Sequence, residues 1–129
     1  TIDRHVTNEY MTLDIDTSSE IAAKALAVRG YSEGYCLTAA GNFIGKIKLQ
    51  DLVNSPEKNT LEDLLNKNPT SINLGTSIEN AREIASTFIG EAIPVINQNT
   101  NEMVGVVSEA DIFTAVLDIQ NSVTLLEKN

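Results

Sequence analysis

The sequence has one cysteine, one histidine and no tryptophan, and it contains no long hydrophobic run. The single cysteine, Cys36, excludes an internal disulfide and a cysteine-rich metal site. No apolar run approaches the ~20 residues that span a bilayer, so direct membrane insertion is not expected. Basic residues are also few: nine lysines and arginines stand against eighteen aspartates and glutamates, which gives a formal net charge of −9. Nucleic acid binding is therefore not expected, because it needs a basic surface.

The sequence also lacks a catalytic constellation and a metal-ligand spacing. His5 lies in a polar opening segment and is expected to be solvent-exposed and inert. Cys36 stands between Tyr35 and Leu37 in a predicted strand, where a packing thiol is favoured because a nucleophile needs a base partner. No glycine-rich phosphate loop is present. We therefore expect neither an enzyme nor a required cofactor or metal, and the single cysteine suits a reducing, cytoplasmic setting.

Along the chain, the spacing of hydrophobic residues alternates between that of strands and that of helices. The chain has 129 residues, of which 42% are hydrophobic, enough for a buried core. The first half predicts, in order, an opening helix within residues 3–11, a strand at 12–16, a helix capped by Thr17 or Ser18 and ended by Gly30, hairpin strands at 34–38 and 43–47, and a helix at 49–53. The apolar face of the capped helix is predicted to contain Ile21, Ala22, Ala25, Leu26 and Val28.

After a linker at residues 54–59 the same order returns. The second half predicts a helix at 60–65, a strand at 71–74, a helix capped near Ser77 and ended by Gly90, strands at 92–96 and 102–107, and a helix from Glu109 towards Ile119. Gly45 recurs at Gly105 and Asp51 at Asp111, a period of roughly 60 residues. The sequence therefore predicts a mixed α/β (α+β) fold of two β-α-β-β-α units, at residues 1–55 and 56–129.

The stretch from Gly105 to Phe113 is the junction of a short apolar strand with a helix, and it allows two interpretations. Ser108 as N-cap and Asp111 three residues later form a variant of the capping box. The same helix start presents unpaired N–H groups and a partial positive charge, which suit a phosphate, while the aspartate could accept hydrogen bonds from a ribose. The residues alone leave both interpretations open.

Several stretches together resemble a known family. They are the two Gly-hydrophobic-x-(Ser/Thr)-x-x-Asp-like junctions, the opening at residues 7–12, residues 92–95 and residues 103–112. This pattern resembles the tandem CBS-domain pair, or Bateman module, over essentially the whole chain. The resemblance implies two units packed through their sheets in a pseudo-two-fold arrangement. It also implies modules that commonly dimerise, and clefts that often bind adenine nucleotides or adenosyl ligands.

The resemblance assigns ligand roles to residues of the second repeat. Ser108 matches the position that contacts phosphate, and Asp111 matches the position that binds the ribose. Val107 and the strand residues Ile93 and Pro94 would flank the base. AMP, ADP or ATP is therefore the expected regulatory ligand.

The first repeat departs from the family pattern. Lys48 stands where the hydroxyl residue is expected, although Asp51 keeps the acidic position. A lysine at a helix N-terminus opposes the macrodipole and cannot cap. Either the first cleft is empty, or Lys48 meets the phosphates of a nucleotide in the neighbouring cleft. Thr12, Lys48 and Asp51 are accordingly further ligand-binding candidates.

The resemblance implies a regulatory, dimerising module attached to a transmembrane or catalytic domain. Residues 45–52 and 108–113 look like the cytoplasmic C-terminal tail of ClC-type chloride transporters, which predicts the cytoplasmic domain of an inner-membrane protein. The alternatives are a structural dimerisation module with empty clefts, and the CBS module of a magnesium/cobalt efflux protein or of IMP dehydrogenase. Exposure of Ile112, Val116 and Ile119 on the last helix would favour a homodimer.

Overall fold

The computed structural model describes residues 1–54 and 60–127, with side chains up to Asn121. The predicted boundary between residues 55 and 56 lies outside the described residues. The described elements are a 3₁₀-helix Ile2–His5, β1 Thr12–Asp14, α1 Ser19–Arg29, β2 Glu33–Leu37, β3 Phe43–Lys48, α2 Leu49–Asn54, α3 Leu61–Leu64, β4 Ile72–Asn73, α4 Ile78–Ser86, β5 Ile93–Asn97, β6 Glu102–Val107 and α5 Glu109–Glu127.

The strands form two three-stranded sheets, in the orders β1-β2-β3 and β4-β5-β6. In the first sheet, β1 runs parallel to β2, and β2 pairs with β3 in antiparallel register with an irregularity between Cys36 and Leu37. In the second sheet, β4 runs parallel to β5. The duplicated strand–helix–strand–strand–helix order and the mixed α+β fold are therefore confirmed.

Hydroxyl caps start the first long helix of both repeats. The Ser18 hydroxyl accepts from the Ile21 N–H at 3.2 Å, and the Ser77 hydroxyl accepts from the Asn80 N–H at 3.1 Å. Gly30 ends α1 in the left-handed conformation, at φ 77°, which an L-residue adopts only with strain. These local signals come from neighbouring residues, which is why the sequence predicted them.

Three sequence predictions about helices are wrong. The opening helix is only the short 3₁₀-helix, because Thr7 leaves it to pair with Val106 of β6. On α1, Ile21 and Val28 are exposed by 62% and 86%, because the buried stripe follows Ser19, Ala22 and Leu26 instead. Helix α4 does not continue to Gly90.

Helix α4 ends at Ser86, with Thr87 as its C-cap. Phe88 is buried, but it lies beyond the helix. At the other end of the chain, α5 extends past the predicted Ile119 as far as Glu127.

The chain packs into two compact units that do not follow the sequence order of the repeats. The first unit contains Glu9–Pro69 and Asn99–Met103, and the second contains Thr1–Asn8, Thr70–Gln98 and Val104–Asn129. The core of the first unit includes Leu13, Ala22, Leu26, Cys36, Ile47, Leu52 and Leu61. That of the second includes Ile2, Ile72, Ala81, Ile93, Val95, Val107, Ile112 and Ala115.

The discontinuity arises because each repeat begins with a segment that completes the other repeat's unit. We call residues 1–8 the first leader and residues 60–69 the second leader. In the second unit, the Thr7 N–H donates to the Val106 carbonyl at 2.9 Å and the Val106 N–H returns a 3.0 Å bond. In the first unit, Asn66 and Lys46 exchange the same two bonds at 2.9 Å each. Each leader thus pairs with part of an outer strand, the first with β6 and the second with β3. Without the leaders, the backbone N–H and carbonyl groups at these sheet edges would be unpaired.

The leaders also contribute to the cores. Ile2 of the first leader and Leu61 of the second are both 0% exposed, and they occupy equivalent places in the two units. The glycines that recur in the two repeats lie where the leaders approach most closely. A Cβ on Gly45 would collide with the Asn66 carbonyl, and one on Gly105 would collide with the Val6 side chain. Glycine therefore lets each leader lie directly on its strand.

Candidate functional site

The junction of β6 with α5 carries the polar pair that the sequence singled out. Strand β6 ends at Val107, Ser108 follows, and α5 begins at Glu109. The Asp111 N–H donates to the Ser108 hydroxyl at 3.1 Å, and the Ser108 N–H donates to Asp111 Oδ2 at 2.9 Å. Both residues are half-buried. The capping interpretation is therefore correct, since both reciprocal bonds of the box are present.

Capping leaves both side chains with bonding capacity for a ligand. A serine hydroxyl that accepts a hydrogen bond keeps its own proton, which can be donated to a phosphate oxygen. An ionised carboxylate has about four acceptor positions, and the bond from Ser108 uses one of them. The start of the 19-residue helix α5 adds a partial positive charge beside these groups. A hydrogen-bond donor of the kind that binds phosphate and an acceptor of the kind that binds a ribose hydroxyl thus lie within one helical turn.

The three apolar candidates of this repeat lie at the same end of the second sheet. Ile93 and Pro94 begin β5, and Val107 ends its neighbour β6. All three side chains are buried, and Ile93 and Val107 belong to the core of the second unit. A base placed here would therefore meet their backbone before their side chains. Their role as base-flanking residues stays a prediction.

The candidates of the first repeat are all exposed. Thr12 and Lys48 lie on the two outer strands of the first sheet, with β2 between them, and Asp51 lies on α2. Lys48 is directly across from Glu33. Helix α2 has only six residues, and a lysine cannot form the reciprocal box that Ser108 forms. The ligand roles of Thr12, Lys48 and Asp51 stay predictions.

A buried ion pair on the first sheet was missed by sequence reasoning. Lys46 Nζ lies 3.4 Å from Glu33 Oε1, and the two side chains are only 7% and 11% exposed. The second carboxylate oxygen, Glu33 Oε2, is buried and has no hydrogen-bond partner among the residues that the structure describes. The only available signal was a lysine within an otherwise apolar strand, and sequence patterns do not identify its partner.

Cys36 is a packing thiol, as the sequence predicted. Its side chain is 0% exposed and lies in the core of the first unit. Burial, and secondarily the negative charge of Asp14, raises the pKa of Cys36 to about 11. The thiol therefore stays protonated at neutral pH, where a nucleophile would need the thiolate.

A surface groove runs between α4 and α5 of the second unit. It has a volume of about 490 Å³ and is lined by Arg82, Ala85, Ser86, Glu109, Ile112, Phe113, Val116, Leu117 and Gln120. Phe113 and Leu117 are 64% and 41% exposed, so the groove has an exposed apolar surface. Ile112 was predicted to favour a dimer if it stayed exposed, but it is buried in the core.

Neither a membrane span nor a metal cluster is found in the part of the chain that the structure describes. Within it, no helix combines the length and apolar character needed to cross a bilayer. The same residues bring together no group of three or more histidine, cysteine, aspartate and glutamate side chains that could hold a metal ion.

Comparison with known proteins gives one family match and many similar structures. Residues 61–118 match the family model of the CBS domain. A CBS-pair domain of a putative Mg²⁺ transporter from Shewanella oneidensis MR-1 has a TM-score of 0.79 at 16% identity, over 91% of this chain and 70% of that one. No curated protein sequence matches the chain.

Two further structures were solved with nucleotides. The complex of CBSX2, a CBS-pair protein from Arabidopsis thaliana, with AMP has a TM-score of 0.76 at 16% identity, over 93% of this chain and 98% of that one. The cytosolic domain of the Mg²⁺ channel MgtE in complex with ATP has a TM-score of 0.75 at 17% identity, over 85% of this chain. This chain spans only 46% of that domain. At these identities the likeness shows a shared fold.

Proposed function

We propose that this chain, whose residues 61–118 belong to the CBS domain family and which has the CBS-pair fold, is a regulatory module that binds an adenine nucleotide. The observation that carries the proposal is the Ser108–Asp111 pair at the start of α5. A similar fold was solved with AMP and another with ATP, which supports this ligand class. No catalytic role is proposed.

The chemistry of Ser108 and Asp111 indicates which part of the nucleotide each residue would bind. The Ser108 hydroxyl and the N-terminal end of α5 would hold a phosphate, and the Asp111 carboxylate would accept hydrogen bonds from the ribose hydroxyls. Glu109 and Asp111 both place negative charge in the first turn of α5. Because each further phosphate adds repulsion at this position, we expect AMP to bind more tightly than ATP.

We further propose that the module acts on an attached membrane transporter, from the cytoplasmic side. Two of the similar structures come from a putative magnesium transporter and a magnesium channel, which supports a transporter as host. The predicted ClC-type chloride transporter stays a prediction. A ligand regulates such a partner only if its affinity differs between the conformations of the module.

The nucleotide proposal is tested by replacing Asp111 with asparagine, which keeps an acceptor oxygen for the cap but removes the charge. We expect nucleotide affinity to fall by about 10- to 100-fold, because hydrogen bonds to a charged group contribute roughly 1.5–3 kcal/mol. Binding is measured by isothermal titration with AMP, ADP and ATP. Thermal shift provides a second measurement, since a ligand at about 100 times its Kd adds about 2.7 kcal/mol of stability.

The matched control is Asp63→Asn. Asp63 forms the same reciprocal box with Thr60 at the start of α3, at 3.4 Å and 3.3 Å. We expect this variant to lose a similar amount of capping stability while keeping wild-type nucleotide affinity. If no nucleotide binds the wild-type protein, the proposal is wrong. If Asp111→Asn and Asp63→Asn bind equally well, the site lies elsewhere.

We also propose that the chain forms a homodimer through the groove between α4 and α5. The groove presents exposed Phe113 and Leu117, and it contains both a cation, Arg82, and an anion, Glu109. A two-fold axis that passes between these two side chains would place the arginine of one copy opposite the glutamate of the other. The groove is thus complementary to itself. This supports homodimerisation as a second function of the module.

Replacing Phe113 with glutamate is expected to give a monomer, because it puts a charge among the apolar side chains of the groove. The matched control is Val28→Glu on α1, where the valine is 86% exposed and lies outside the groove. Sedimentation equilibrium should give twice the 14.0 kDa chain mass for the wild type and for Val28→Glu, and the single chain mass for Phe113→Glu. A wild-type monomer, or a dimeric Phe113→Glu, would contradict the proposed interface.

A further inference from the structure

The first leader is held against both elements that meet at the Ser108–Asp111 pair, the strand β6 and the helix α5. The backbone N–H and carbonyl of Thr7 both bond to Val106, two residues before Ser108. The 3₁₀-helix Ile2–His5 packs on α5, the helix that Ser108 and Asp111 begin. The leader therefore contacts this strand-to-helix junction on both sides, through β6 before it and α5 after it, and helps to fix its position.

The leader's core contact involves the neighbours of the same two residues. Ile2 is fully buried in the cluster that contains Val107 and Ile112, which are adjacent in sequence to Ser108 and Asp111. Glycine at position 105 lets the leader backbone lie so close to β6 that a single methyl group would collide with it. There is no free space at this contact. A shift of the leader is accordingly transmitted to β6.

The other side of the leader is fastened to the turn before α4. The Ile2 N–H donates to the Thr76 carbonyl at 2.8 Å, and the Gly75 N–H donates to Asp3 Oδ1 at 2.8 Å. Four hydrogen bonds and one buried side chain thus hold eight residues. Segments held by few buried side chains and hydrogen bonds open at lower free energy than the core does, so this leader can detach without global unfolding.

We propose that the first leader is a positioning element of the nucleotide site, and that leader docking and nucleotide binding strengthen each other. This inference rests on the proposed nucleotide function. When the leader is docked, Val106 and α5 are fixed, and the Ser108 hydroxyl and Asp111 carboxylate are held ready for the ligand. When it is detached, the ligand must order the junction itself. Thermodynamic linkage requires the effect to be equal in both directions.

The first test is Ile2→Ala, with Leu61→Ala as its matched control. Leu61 is the equivalent residue of the second leader, is equally buried, and belongs to the core of the first unit. Both variants lose stability. In titrations with AMP, ADP and ATP we expect Ile2→Ala to bind at least about fivefold more weakly than wild type, within the usual range of coupling between sites. Leu61→Ala should keep the wild-type affinity.

The second test uses the unmodified protein, so it does not depend on how well Ile2→Ala folds. Saturating nucleotide should slow hydrogen exchange at the Ile2 and Thr7 amides, which bond to Thr76 and Val106. The Asn66 amide, which bonds to Lys46 in the equivalent bridge of the first unit, is the internal control and should slow less.

The outcomes separate the two proposals. Absence of nucleotide binding to the wild-type protein overturns the proposed function, and this inference with it. Binding at equal affinity to wild type and Ile2→Ala overturns the inference alone. The inference is also overturned if nucleotide slows hydrogen exchange at the Asn66 amide as much as at the Thr7 amide. The leader would then respond only to the global stability of the protein.

Discussion

Replacing Gly105 with alanine is expected to lower the free energy of unfolding by about 3 kcal/mol, the upper end of the usual cost of overpacking. The new Cβ would collide with Val6 Cγ1 and would lie 2.6 Å from the Thr7 carbonyl oxygen. The first leader must therefore move off β6, with loss of its two bonds to Val106. For a chain of this length the midpoint of thermal unfolding should fall by roughly 10 °C. Urea and thermal unfolding both measure the change.

Two companion variants identify the cause of this loss. Adding Val6→Ala to Gly105→Ala should restore part of the stability, because it removes the colliding side chain but leaves the Thr7 carbonyl in place. Gly45→Ala should be similarly costly, because its Cβ would collide with the Asn66 carbonyl and lie 2.9 Å from Leu65 Cγ. If Gly105→Ala unfolded within about 0.5 kcal/mol of wild type, the close approach of the leader would not constrain the fold.

The same contact explains what the sequence could and could not predict of the fold. The recurrence of Gly45 at Gly105 was visible, and it correctly indicated a duplication. Its steric reason was not visible, because Thr7 and Val106 are far apart in the chain and nothing in either residue identifies the other as its partner. The helix caps at Ser18 and Ser77 were predictable, since cap and helix are adjacent in sequence.

Helix α1 shows the limit of periodicity. Ala22 and Leu26 were correctly placed on the buried face, but Ile21 and Val28 were added because they are large and apolar. Several alanines make more than one face of this helix apolar, so the pattern does not single out one stripe. Packing within the first unit, whose core contains Ala22 and Leu26, selected the stripe of Ser19, Ala22 and Leu26.

The candidate site divides in the same way. The Ser108–Asp111 box was predictable because its members are three residues apart, and the structure contains both of its bonds. The full burial of Ile93 and Val107 required the fold. The Glu33–Lys46 pair required the register of β2 against β3, which no local pattern specifies.

The second large expected effect is the loss of stability when the buried Glu33–Lys46 pair is broken. Lys46→Met is expected to lower the free energy of unfolding by about 3–5 kcal/mol, because it leaves the Glu33 carboxylate buried without its ion-pair partner. The double variant Glu33→Leu with Lys46→Met should be far less costly, since it removes both charges and keeps similar volumes. Urea unfolding of the four proteins gives the coupling energy of the pair.

The exposed pair of Lys24 and Glu20 on α1 supplies the control for this cycle. Its side chains are 75% and 78% exposed, so Lys24→Met should change stability by less than about 1 kcal/mol. If Lys46→Met were equally mild, the Glu33 carboxylate would be solvated. A costly Lys46→Met should also speed hydrogen exchange at the Asn66 amide, because that amide bonds to the Lys46 carbonyl. Strand β3 thus carries Lys46 of the ion pair and also holds the second leader. Loss of the lysine charge should therefore destabilise the contact between β3 and this leader as well as the ion pair itself.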